Sequence, residues 1–139
     1  MFIKKVICYD YSYAEYIVSD GTYELLCMDL SVPLPNNQEP LQGMTISNIF
    51  VFSFDDMIQC KKICENNKKL DLIIKDKNNY FRYILRAHIV DLEKAIVELY
   101  DFQISLENYL PNGFDSTFCK GDYIEFIADR LDCMIENFY

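Results

Sequence analysis

The stretch Lys120-Gly121-Asp122-Tyr123-Ile124-Glu125-Phe126 decides the fold. Lys-Gly-Asp reads as a tight turn, because Gly takes the positive φ that such turns demand. The residues that follow alternate in polarity and are rich in β-branched and aromatic side chains, as in a strand of a small closed β-barrel. Read as a strand, Ile124, Phe126 and Ala128 point one way, and Tyr123, Glu125 and Asp129 the other. A helix competes for the same residues. Ile124, Ile127, Ala128, Leu131, Ile135 and Phe138 form a stripe of helical period, and Asp122 with Glu125 resembles a capping box. The turn and the residue types predict a strand over 122–130. Residues 131–138 stay open between a strand and a C-terminal helical tail.

Outward from there, the chain keeps offering hairpins. Phe2 to Tyr9 predicts a first strand. Tyr16-Ile17-Val18 and Tyr23 to Met28 flank Ser19-Asp20-Gly21-Thr22, and Asp-Gly between apolar runs is the strongest short hairpin sign. Ser31 to Gly43 holds three prolines and reads as a loop. Thr45 to Phe54 is a buried strand by its apolar content. Asp55-Asp56 followed by Met57, Cys60, Ile63 and Cys64 predicts a short helix over Asp56 to Glu65. Leu70 to Lys75 predicts a short strand. Tyr80 to Val90 and Ala95 to Leu106 pair across Asp91-Leu92-Glu93-Lys94, and the polarity switch at Tyr100-Asp101 predicts a bend or bulge.

Composition sets limits on the whole. The 139 residues are 51% apolar and 25% charged, which suits one domain with a real core and excludes global disorder. The net charge is -9, spread unevenly: -4 over residues 1–54, +3 over 55–86 and -8 over 87–139. An acidic surface repels phosphate backbones and suits a basic protein partner. Met1-Phe2-Ile3-Lys4-Lys5 lacks the apolar core of a signal peptide, and no apolar run approaches a bilayer-spanning length. The expected compartment is the cytosol, with the six cysteines as free thiols rather than a disulfide framework.

Residues able to do chemistry are sparse. His88 is the one histidine and lies on a predicted strand as a core or half-buried side chain. No Gly-x-Ser-x-Gly elbow supports it as a catalytic base. Cys60 and Cys64 stand four apart without the second pair a zinc site needs. The four glycines are scattered in turns and form no phosphate cradle. No catalytic residue, cofactor or metal ligand is therefore assigned. Two binding surfaces remain. Asp101, Tyr123, Glu125, Asp129 and Asp132, in or beside the acidic C-terminal third, would meet a basic partner. Alternatively, Lys68, Lys69, Tyr80, Phe81 and Arg82 combine basic and aromatic groups as single-strand or oligosaccharide binders do.

The order of elements resembles an OB-like antiparallel β-barrel, with curled hairpins, one helix between middle strands and a late turn-plus-strand. VSDGTYELLC (18–27), ILRAHIVDLEKAIVELYDFQISLE (84–107) and KGDYIEFIADRLDC (120–133) look like small uncharacterised bacterial proteins. Small acidic proteins of this kind are also similar to bacterial immunity proteins, which cover a toxin with an acidic surface. The resemblance implies a non-enzymatic interaction protein and carries over no site residue.

Overall fold

The structure is a computed structural model that describes residues 1–10, 12–32, 34–64 and 70–136. It is mainly β. The strands are β1 (Phe2–Tyr9), β2 (Ala14–Ser19), β3 (Glu24–Asp29), β4 (Ile46–Phe52), β5 (Lys61–Ile63) and β6 (Leu72–Lys75). They continue with β7 (Tyr83–Asp91), β8 (Ile96–Leu99), β9 (Phe102–Ser105), β10 (Tyr123–Ala128) and β11 (Arg130–Ile135). One 3-10 turn, Pro35–Asn37, is the only helical element among the described residues.

Local chemistry explains the hairpins. Between β2 and β3, Asp20 Oδ1 accepts the backbone N–H groups of Thr22 at 2.8 Å and Tyr23 at 2.7 Å, and Gly21 takes φ +105°. The turn is thus a four-residue loop closed on an aspartate, with Ser19 opposite Glu24, and only its glycine has positive φ. At Tyr100-Asp101 the expected bend is a full reversal. Leu99 faces Phe102 across a two-residue turn in which Tyr100 takes φ +51°. Val97, Leu99, Phe102 and Ile104 all point inward, so the switch in polarity marks a new strand.

β10 and β11 are nearly one strand. Asp129 alone separates them, and its N–H donates to the Phe52 carbonyl at 2.9 Å. Its carboxylate accepts the Phe54 N–H at 2.8 Å. Buried positions run Ile124, Phe126, Ala128 before this kink and Leu131, Cys133, Ile135 after it. The C-terminal helical tail is therefore corrected to strand over 130–135, and residues 137–139 lie outside the described ones. The helix expected over Asp56 to Glu65 is also corrected. Residues 53–60 loop out and Lys61–Ile63 pairs with β10, leaving Met57, the first residue of the supposed apolar stripe, exposed.

The strand order is β1-β2-β3-β11-β4-β9-β8-β7-β10-β5, with β6 on β7. The path is open at β1 and β5. The sheet is mixed rather than antiparallel throughout, because β11 lies parallel to β3 and β9 parallel to β4. An isolated bridge between Phe2 and Thr45 ties the start of β1 to the approach of β4. The core includes Ile3, Tyr16, Leu25, Leu85, Phe102 and Phe126. Each such side chain contributes about 1.5–3 kcal/mol. Asp29 is 0% exposed but fully served: Tyr16 donates to it at 2.8 Å, as does the Ser31 N–H. Burial pushes the Tyr16 hydroxyl far above the usual phenol range. The six cysteines are free; the Cys27 thiol and burial together hold Cys133 protonated.

Two glycines separate backbone strain from collision. Gly121 has φ +91° with open space where a side chain would stand, and Gly113 has φ +77° in a spot where an added Cβ would lie only 2.3 Å from the Leu92 carbonyl oxygen. Gly121→Ala should cost about 1 kcal/mol of unfolding free energy, the strain alone. Gly113→Ala should cost about 3 kcal/mol or more, because the β7–β8 turn must move. Urea unfolding of the two variants reads the difference, and equal losses would contradict this packing.

Candidate functional site

A cleft of about 440 Å³ opens where two turns approach three parts of the sheet. The β2–β3 turn supplies Asp20, Thr22 and Tyr23, and the β8–β9 turn supplies Tyr100 and Asp101. Asp71 enters from the segment before β6, His88 from β7 and Glu98 from β8. The turns are joined by the Asp101 N–H, which donates to Asp20 Oδ2 at 3.2 Å. The Tyr23 and Tyr100 rings stack at 3.5 Å and 12°. The Tyr100 hydroxyl donates to the Asp71 carbonyl at 3.1 Å. Burial is the main force raising the Tyr100 phenol above its usual range, so it stays a neutral donor.

His88 is half-buried, as its strand position implied, and lies between two carboxylates. Its Nδ1 is 3.9 Å from Asp71 Oδ1, and its Nε2 is 3.8 Å from Glu98 Oε1. The Asp71 side chain is only 6% exposed. Asp71 Oδ1 and His88 Nδ1 are both buried without a hydrogen-bond partner among the described residues. Among the described residues, four carboxylates line this cleft and no Lys or Arg does.

A second depression, of about 510 Å³, lies under the 53–60 loop, and its charges are mixed, with Lys61 and Arg82 beside Asp55, Glu125 and Asp129. Arg86 donates to Glu125 at 2.5 Å, its cross-strand neighbour. Arg82 stands 3.6 Å from Asp129 and 3.9 Å from Asp76. On β11, Arg130 makes a forked contact to Asp132 at 2.6 and 3.0 Å and lies over the Phe52 ring.

The five residues proposed for a basic partner are thus divided. Asp101 lines the acidic cleft, and Tyr123 stands behind it with its ring 5.5 Å from His88. Glu125, Asp129 and Asp132 are each occupied by an arginine. In the alternative set, exposed Tyr80 packs edge-on against Phe81 at 4.9 Å, while Arg82 is held by carboxylates. Lys68 and Lys69 lie outside the described residues. Cys60 is half-buried, and burial pushes its thiol up to about 11; Cys64 is exposed. Among the described residues no group of three or more His, Cys, Asp or Glu is arranged to hold a metal ion. Among the same residues no helix is long and apolar enough to cross a membrane.

Sequence reasoning did not single out Asp71, Glu98, Tyr23 or Tyr100, and treated Asp20 only as a turn residue. The polarity switch at Tyr100-Asp101 was the one usable sign. No family model, curated protein or solved structure matches the chain.

Partial burial raises the Asp20 carboxyl, but the N–H groups of Tyr23, Thr22 and Asp101 outweigh it and hold the group below the ordinary value of 3.8. Ionised Asp20 therefore stabilises the fold above that pH, and the contribution fades as pH falls through 3.8 toward the lower folded value. Asp20→Asn should be less stable than wild type near neutrality. The gap should close with acidification below about pH 3.8, as followed by urea unfolding. A gap that widened in acid would refute the assignment.

Proposed function

We propose that this chain is a non-enzymatic, cytosolic interaction protein that neutralises a basic protein partner, in the manner of a bacterial immunity protein. The observation that carries this reading is the cleft with four carboxylates, two stacked tyrosines and, among the described residues, no Lys or Arg. The net charge of -9 would speed encounter with a cationic surface. Tyr23 and Tyr100 would then serve as the aromatic anchors that hold a complex. Both nitrogens of His88 face carboxylates, which favours a held imidazole over a base that activates a nucleophile.

The accompanying fold reading is OB-like. β1, β2, β3, β11 and β4 follow side by side, and the Phe2–Thr45 bridge returns β1 to the approach of β4. On this reading β5 to β10 form an insertion between β4 and β11.

Co-expression of the chain with the product of each adjacent gene in its genome tests the function. The expected result is rescue of growth from one basic product. Association with that product should slow about tenfold or more as salt rises toward physiological strength. Glu98→Gln combined with Asp101→Asn should weaken the rescue. Binding to single-stranded RNA that fades with salt, with no basic product bound, would overturn this reading in favour of a nucleic-acid module.

A further inference from the structure

We propose that the acidic cleft is a receptor for a single guanidinium group, seated against Glu98, Asp101 and Asp20 with the Tyr23–Tyr100 pair as its flat wall. The inference deepens the docking reading and rests on it for the natural source of the ligand, an arginine side chain of the basic partner. The site itself is testable without any partner.

Asp71 is the observation that calls for a cation. Its side chain is 94% buried, and its Oδ1 accepts no hydrogen bond from the described residues. A buried carboxylate oxygen without a donor carries a desolvation cost, and the facing His88 Nδ1, at 3.9 Å, is beyond hydrogen-bond reach. The other deeply buried aspartate, Asp29, is satisfied by Tyr16 and Ser31, so the omission at Asp71 is local. Among the described residues, no Lys or Arg lines the cleft.

The arrangement favours a guanidinium over a compact ion. The carboxylates approach from different elements and do not gather at one point as metal ligands do. A planar cation with five spread donors reaches several such acceptors at once, and its face stacks on an aromatic ring. Tyr23 is 41% exposed, so the stacked pair presents a ring to an incoming group.

The groups facing His88 are Asp71 before β6, Glu98 on β8 and Tyr123 on β10, with Asp20 and Asp101 across the cleft. Arg86, two residues along β7, is turned to Glu125.

His88 is the chain's one histidine, so its ring protons give an unambiguous pair of signals in a proton–carbon NMR spectrum. The probes are N-acetyl-arginine methylamide and its neutral counterpart of equal length, N-acetyl-citrulline methylamide. The arginine probe should shift the His88 and Tyr100 ring signals saturably, and the citrulline probe should not. Glu98→Gln with Asp101→Asn should weaken binding about tenfold or more. Asp71→Asn should do the same, but that residue is buried, so the exposed double variant carries the test if Asp71→Asn fails to fold. Tighter binding of a capped Gly-Gly-Arg-Gly-Gly peptide than of agmatine assigns the group to a protein side chain, and the reverse order to a free guanidino compound. Equal shifts from the charged and neutral probes, or shifts confined to the depression under the 53–60 loop, would overturn the proposal. Saturable arginine binding with no basic product rescued in co-expression would keep the site and remove the docking role.

Discussion

The structure depends on one strand that belongs to two neighbourhoods. From Tyr123 to Ala128 it pairs with β7 and β5; from Arg130 to Ile135 it pairs with β4 and β3. Buried backbone groups must find partners, and a strand in mid-sheet must find them on both edges. The hinge between the two regimes is Asp129. Its N–H and carboxylate fasten to Phe52 and Phe54, where the facing chain leaves the ladder and loops out. That fixed kink turns the inward face by one residue, so Ile124, Phe126 and Ala128 are succeeded by Leu131, Cys133 and Ile135.

The same scaffold sorts the charges. On the outer face of the sheet, register sets Arg86 beside Glu125. The cleft is different. Its carboxylates arrive from two turns and from the β6–β7–β8 region, and among the described residues no Lys or Arg comes with them. Tyr100 pays for its place there with a left-handed backbone at φ +51°, a conformation that costs a non-glycine residue about 1 kcal/mol or more. Strain, an unserved buried oxygen and an excess of one charge coincide in a single small volume. The rest of the described fold shows no such coincidence.

Much of this was legible in the residues, and the failures have a common cause. Turn residues such as Asp20-Gly21 and Lys120-Gly121 mark where the chain reverses, because few other residues tolerate those backbone angles. Alternation then gives the strand that follows. What alternation does not reveal is a strand that changes face. The kink at Asp129 places inward residues at 124, 128, 131 and 135, which is also the spacing of a helical stripe. The reversal at Tyr100-Asp101 disguised two strands as one bent strand for the same reason. The site was less legible than the fold. Asp71, His88 and Glu98 meet only because β6 and β8 lie along the same edge of β7, and sequence distance carries no trace of that. Glu125 and Asp132 looked like free acids because their arginines are assigned by register or by local side-chain geometry.

If Glu98 and Asp101 are placed in the cleft for a ligand, and not for the fold as Asp20 is, they oppose folding while the cleft is empty. The most direct measurement compares thermal unfolding of Glu98→Gln with Asp101→Asn, and of Glu125→Gln, against wild type near neutral pH and at low salt. The cleft double variant should melt higher than wild type, because like charges are relieved, and Glu125→Gln should melt lower, because Arg86 loses its partner. A cleft variant that melts as low as Glu125→Gln would contradict the account, since those carboxylates would then be holding the fold together.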